Sequence, residues 1–531
     1  MSETDAAGGG DELRLSVPNR PGSLTAIRDL VRDAARLAGF GRKAAYPARV
    51  AGRLAAALMD PRLDPPEQGS IDVLVRPSGG ALLVTVHDDG PPFDPRLGGR
   101  AEEFAHAVLE PGSRDWIAFA NRGRGGRELT AVLHPPGTGA GRRGGAGGGA
   151  PAAGSAESPA PVDDGHSLVV RADEPVGAWV GRVAPAFAGA AHAAEAATVA
   201  GGDLRIGLLQ PEQAASVSAC IFDAYRLTYF DEMMYRPAQL VELNESGEMV
   251  SAVAVAPDGT VAGHVALEFT AGERAIADVA AAVTHRAWRG HGVAERLFTF
   301  LIGEAERRGM AAVWCDAVTV HPFTQRLAHG LGFVPCGFHL AFEPPSTRFF
   351  GINDHPAHRG SGVVMVRVVA GLSGAPLEVP ARHHGFVAGI YERLGAPGRL
   401  DAAVPDRAPL GETVLRTALH PVLEVARLTV AAPGADLAPR LHAALHDALA
   451  QGAQVVEARV DLQAPGAASA CDELEDLGFI VTGVLPAGPE ADWLLMQYHE
   501  GIAVDYDCMV VDAEESRELL AAVRAGDRGA V

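Results

Sequence analysis

Between Leu204 and Val369 apolar and polar residues alternate in blocks that predict strands and helices in turn. GTVAGHVALEF, Gly259 to Phe269, places a Gly turn ahead of an apolar run, and AIADVAAAV, Ala275 to Val283, follows as its neighbouring strand. In RGHGVAERLFTFLIGEAERRG, residues Val293, Leu297, Phe300 and Leu301 recur at helical spacing, which predicts an amphipathic helix closed by Gly309. AAVWCDAVTV, Ala311 to Val320, is apolar on both faces, as a strand covered on both sides would be. PFTQRLAHGLGF predicts a second helix ending at Gly332 and Phe333.

The C-terminal third repeats this order. Asp436 to Pro465 reads as helix, Gly452, strand, and the run from Cys471 as helix, LeuGlyPhe, strand. LGFVPCG begins at Leu331 and LGFIVTG at Leu477, an offset of 146 residues, and Gly309 and Gly452 lie 143 apart. The near-constant offset predicts an internal duplication.

From Pro135 to Gly165 Gly, Ala, Pro and Ser predominate and displace the large apolar residues, a composition that buries too little surface to offset its ordering entropy. It is expected to be a flexible linker. At about 100 to 200 residues per domain, 531 residues hold about three folded units. The expected division is a domain at 11–136, a linker at 137–166, an alanine-rich helical spacer at 167–203, and domains at 204–372 and 373–531. The fold class is α/β, in the α+β sense, and multidomain.

The formal charge of −21 argues against broad contact with nucleic acid or an anionic membrane. Five scattered cysteines without a CxxC pair predict a reduced compartment, with neither disulfide framework nor metal site. The first residues are acidic without an apolar core, and no segment stays apolar for about 18 residues, so a cytoplasmic location is expected.

The strongest chemical signal is Arg289, Gly290, His291, Gly292, Val293 and Ala294, set between a strand and a helix. A glycine turn opening a helix presents unpaired N–H groups at the positive end of the helix dipole, which suits a pyrophosphate. Arg289, Gly292 and Ala294 resemble the R/QxxGxG/A loop of the GNAT acetyltransferase superfamily, and HPFTQRLAHGLGFVPCGF is similar to its later helix–GlyPhe–strand landmark. The resemblance covers roughly Leu204 to Val369. It implies acetyl-CoA, or another acyl-CoA, as cofactor and direct acyl transfer to a small-molecule or peptide amine.

Such transfer needs a base for the amine and donors for an oxyanion. Glu268 and Asp278 are the candidate bases, and the backbone near Val283 the candidate oxyanion donor. Where the family often has a tyrosine to protonate the thiolate, this chain has Ala328, with His321 and His329 nearby. The family's asparagine is replaced around Thr319 and His321. Tyr225, Tyr229 and Tyr235, with Asp231 or Glu232, are candidates to recognise the acceptor. The second copy lacks the glycine turn, so it is expected to keep the fold without the ligand site.

In the N-terminal domain, LLVTVHDDGPPFDP, Leu82 to Pro95, resembles the nucleotide box of GHKL ATPases of the anti-sigma-factor-kinase branch. The resemblance implies a GHKL-like α/β sandwich ahead of two GNAT-like mixed-sheet domains, with Asp88, Gly90, Gly98 and Gly99 as a degenerate nucleotide site. Gly52 and Ala56 stand where that family has its catalytic glutamate and magnesium-binding asparagine, so kinase activity is not expected and ATP binding is weak or absent. A sensory domain that docks a signalling protein is the implied role. A second reading of the whole chain stays open: a non-catalytic signalling or scaffold protein that uses its GNAT-like domains for binding.

Overall fold

The computed structural model describes residues 12–59, 69–90, 100–136, 167–173, 197–198, 204–257, 259–270, 273–349, 352, 356–372, 374–400, 408–409, 411–488 and 491–527. Two compact units emerge: 1–193 with 210–222 and 231–242, and 194–209 with 223–230 and 243–531. Among the described residues no helix is long and apolar enough to cross a membrane.

The first unit carries a six-stranded antiparallel sheet. Its strands are β1 (Leu13–Pro18), β2 (Ser70–Ser78), β3 (Ala81–Asp88), β4 (Trp116–Asn121), β5 (Arg127–Leu133) and β6 (Ser167–Arg171), in the order β1-β2-β3-β5-β4-β6. Its helices are α1 (Leu24–Leu37), α2 (Ala45–Leu58) and α3 (Arg100–Val108). Alternate residues Ile71, Val73 and Val75 of β2 and Val84 and Val86 of β3 share one core with Ile27 and Val31 of α1 and Val50 and Leu54 of α2. Period two on the strands meets period three to four on the helices, and a two-layer α/β arrangement results.

The helical spacer expected from residue 167 is corrected at its start. Ser167–Arg171 is a strand, paired antiparallel with Trp116–Ala120 of β4. Leu168 and Val170 point into the core while Arg171 faces solvent, and this alternation with two adjacent valines favours a strand over a helix. Residues 137–166 and 174–196 lie outside the described residues.

The second unit is built on a single 13-stranded sheet. Its first part contains β7 (Ala197–Thr198), β8 (Arg205–Leu208), β9 (Met249–Val255), β10 (Val261–Glu268), β11 (Ile276–Thr284), β12 (Ala312–Val318), β13 (Val334–Glu343) and β14 (Gly360–Val368). The helices of this part of the chain are α4 (Ala214–Tyr225), α5 (Pro237–Ser246), α6 (Val293–Arg307) and α7 (Phe323–Gly330). The remainder adds α8 (His384–Arg393), β15 (Val414–His420), β16 (Val425–Ala432), α9 (Leu437–Ala450), β17 (Val455–Asp461), α10 (Ala467–Asp476), β18 (Ile480–Pro486), β19 (Asp492–His499) and α11 (Glu514–Gly526).

The sheet runs β15-β16-β17-β19-β18-β13-β14-β12-β11-β10-β9-β8-β7. Within it β10-β11-β12-β14-β13 and β15-β16-β17-β19-β18 have the same strand order. In each set one pair is parallel, β11 with β12 and β16 with β17, and the rest are antiparallel. The two sets meet where Gly337 of β13 pairs with Gly483 of β18. These glycines close the LGFVPCG and LGFIVTG runs, so each copy touches its own counterpart, as across a two-fold axis. Neither position has space for a side chain, because a Cβ on Gly337 would lie 2.7 Å from the Gly483 Cα.

Candidate active site

The site begins as a defect in the sheet. β11 and β12 are parallel neighbours, yet their register covers only Ile276–Asp278 against Ala312–Trp314. Beyond Asp278 and Trp314 the two strands part, and β11 continues to Thr284 without β12 beside it. A bulge helps to turn β11 away: its register with β10 slips between His264 and Ala266, and Ala281 there adopts a positive φ of 49°. His264, fully buried, holds the bulge through Nδ1 at 2.9 Å from the Ala281 carbonyl, and burial lowers its pKa to about 4. A neutral ring there is free to donate to the carbonyl.

The wedge opens into a cavity of about 300 Å³. At one end stands the turn ahead of α6. Gly290 and Gly292 have φ of 78° and 71°, conformations that L side chains rarely adopt, and Gly292 is the N-cap of a 15-residue helix. Apart from each glycine's own chain neighbours, no atom of the described residues lies within 4 Å of where a Cβ on Gly290 or Gly292 would sit, so the space over the turn is open. Arg289 donates from Nε to the Thr284 carbonyl at 3.4 Å, and its guanidinium lies 5.3 Å from the Phe349 ring centroid. Phe349 in turn stacks on Tyr225 at 4.9 Å, which joins the loop to the aromatic wall.

Part of the cavity wall is acidic. Asp278, Asp316 and Glu343, from β11, β12 and β13, all line it. Burial first, then the charges of Asp316 and Glu268, hold the Asp278 carboxyl well above the usual carboxylate range. Burial and Asp316 push Glu343 up to about 7. Asp316 is fixed by His339, whose Nδ1 is 2.9 Å from both of its oxygens. Behind them lie charges from the C-terminal part: Arg427 donates to Glu457 at 2.9 Å, and Arg459 lies 5.7 Å from the Trp314 ring centroid. Burial works against the Glu457 charge, but His339, Arg427 and Arg459 pull its pKa down to about 2.

Residues 216–333 match the sequence profile of the acetyltransferase (GNAT) family. That stretch is a GNAT acetyltransferase domain. Among solved structures, the chain is similar to the ribosomal-protein-S5-alanine acetyltransferase of Vibrio fischeri, at 12% identity over 33% of this chain and 97% of that one, with a TM-score of 0.27. The ribosomal-protein-S18-alanine N-acetyltransferase of Escherichia coli matches at 15% identity over 32% and 94%, TM-score 0.25. A GNAT family N-acetyltransferase from Escherichia coli, in complex with CoA, matches at 20% identity over 33% and 86%, TM-score 0.22. No curated protein matches the chain in sequence.

In the GNAT domain the residues singled out from the sequence divide by position. Val283, Arg289 and Ala294 line the cavity, while Gly290, His291 and Gly292 form the turn at its rim. The Val293 side chain is core: it is buried, and its Cγ1 lies 2.8 Å from where a Cβ on Gly263 would be. Asp278 lines the cavity and Glu268 does not; Glu268 is its cross-strand partner on β10. Tyr225 and Tyr229 belong to the wall, whereas Tyr235 is fully buried in the other unit, where Asp231 caps the turn at Glu232–Tyr235. Ala328 is core, His329 is exposed, and His321 lines the cavity with a pKa lowered by burial. Asp316 and Glu343 escaped the sequence reading. The signal for Glu343 was an acidic residue closing the strand run HLAFE just before Pro344 and Pro345.

The counterpart region of the C-terminal part is closed. β16 and β17 keep parallel register over six residues, Val425–Val430 against Val455–Val460, so no wedge opens. At the start of α9 the chain supplies its own anion: Asp436 accepts from the Thr413 N–H at 2.7 Å. A Cβ on Gly434 would lie 2.3 Å from the Thr413 nitrogen, which leaves no cradle there.

In the first unit Asp88 is buried and bound by Arg127, which donates from Nε at 2.9 Å and from Nη2 at 2.6 Å. Asn19 adds a third bond at 3.3 Å. Arg127 also occupies the space beside Gly90, where a Cβ would meet its Nη2 at 2.1 Å. Gly98 and Gly99 lie outside the described residues.

Proposed function

We propose that the protein is a cytoplasmic, acyl-CoA-dependent N-acyltransferase working by direct transfer to an amine. The supporting observation is the parting of β11 and β12 immediately after Asp278, with the open glycine turn of α6 at the rim of the same cavity. The N–H groups at the start of α6, with Arg289, would hold the pyrophosphate of an acyl-CoA, and the wedge would receive its pantetheine arm. The acyl-CoA supplies the activated thioester.

The protein's own part is to hold the amine and manage its proton. Glu343 is the better base, since a carboxylate poised near 7 is substantially ionised at neutral pH and still basic enough to take a proton from an ammonium. Burial raises the Asp278 carboxyl above the ordinary carboxylate range, and the residue sits at the junction where the two strands part. Unpaired N–H groups of β11 past Asp278 would hold the oxyanion. Burial drives the Tyr225 hydroxyl pKa upward, so it is a poor donor to a thiolate and serves as wall. Ala328 offers no acid, but a thiolate of pKa near ~8.5 leaves unaided and takes the second amine proton.

We assign the C-terminal part a non-catalytic role, supported by its closed strand pair and by Asp436 at the start of α9. The first unit, with Asp88 engaged by Arg127, is read as a regulatory module that binds a signalling protein rather than ATP. The test of the main reading is thiol release from acetyl-CoA across a panel of amines with the full chain. Acceptor-dependent release is expected; release at background for every amine would leave the scaffold reading.

A further inference from the structure

Besides Glu343, the cavity wall holds a second carboxylate, Asp316, that the proton transfer does not use. Asp316 has His339 as partner, and Glu457 has Arg427, but no cationic group among the described residues is recorded against Glu343. Two further polar atoms in the wall also lack partners. His321 and Thr347 line the cavity at 8% and 7% exposure, and His321 Nδ1 and Thr347 Oγ1 have no hydrogen-bond partner among the described residues. Buried polar atoms are nearly always paired, so both mark a place where a ligand's polar groups belong. Burial lowers the His321 pKa, which favours the neutral ring with one nitrogen able to accept. The same wall carries the aromatic rings of Tyr225, Tyr229, Phe342 and Phe349. Rings of this kind favour a cation or a short aliphatic chain and give a peptide backbone nothing to bond.

We infer that the acceptor is a small primary amine carrying a second cationic centre, a diamine or longer polyamine, with ammonium groups facing Glu343 and Asp316 and donating to His321 and Thr347. The inference rests on the transferase reading of the same cavity. Glu343 takes a proton from one ammonium, that nitrogen attacks the thioester carbonyl carbon, the C–S bond breaks, and the second proton goes to the thiolate. The other ammonium keeps its charge and holds the molecule in register.

The test is calorimetric binding of putrescine and of butylamine to the full chain without acetyl-CoA. The two probes share a four-carbon chain and differ by one charge. Putrescine is expected to bind roughly tenfold more tightly or better, the effect of one partly buried ion pair. In Glu343→Gln the two should come within about threefold. Equal affinities in the native protein, or no putrescine binding at about 10 mM, overturn the inference and need no variant to fold. Acetyl-CoA binding on the same preparation is read separately: its absence with putrescine preference intact counts against the transferase and leaves the dication site standing.

Discussion

Three carboxylates near the wedge differ only in what surrounds them. Glu268 and Asp278 were visible in the sequence as acidic residues in apolar strands, but facing one another across β10 and β11 does not place both in the cavity. Glu343 lies 65 residues beyond Asp278 and shares a cavity wall with it only through the sheet, where burial and the charge of Asp316 raise its pKa. If Glu343 is the base, kcat/KM for an amine of high pKa rises as pH increases through about 7, because only the ionised carboxylate accepts a proton. Glu343→Gln should flatten that rise and lower kcat by about 10²- to 10⁴-fold. A rise of unchanged position in the variant would assign the titration elsewhere. The sequence could not rank these carboxylates, since rank depends on burial and on neighbours distant in the chain.

Among the elements, helices with a strong apolar stripe and strands bounded by glycine were legible. α6 and β10 to β12 lie where the pattern put them, because each buries one defined face. The segment at 167 was misread, since a five-residue strand completing a sheet edge leaves little periodicity to detect. Pairing between β13 and β18 depends on two glycines that read as ordinary turn residues. A Cβ on Gly483 would lie 2.4 Å from the Gly337 Cα and 2.5 Å from the Cys336 carbonyl oxygen, both backbone atoms that cannot swing aside. Gly483→Val is therefore expected to cost about 3 kcal/mol, at the upper end for overpacking, read as a lower urea midpoint. An unchanged midpoint would mean that this junction is not under compression.

At the scale of the whole molecule, two copies of one strand order form a single sheet, and only one copy opens. The difference is three paired residues in β11 and β12 against six in β16 and β17. The chain is accordingly expected to bind one acetyl-CoA, a stoichiometry that titration calorimetry of the full protein would read; two equivalent sites would contradict the closed pair. The copies have nonetheless stayed chemically connected. Arg427 and Arg459 come from β16 and β17, and their charges act on Asp278 of the open copy. Through these two arginines the C-terminal part acts on the electrostatics of the open cavity.

By itself the sequence determined the strands and helices around residues 259–333, the glycine turn and the repeat offset, because local periodicity and turn chemistry depend on neighbours in the chain. Tertiary structure decided where the sheet parts, which carboxylates line the cavity, and that Arg127 engages Asp88. Each of these is a matter of which distant side chains share a small volume from which water is excluded, and a linear pattern does not contain that information.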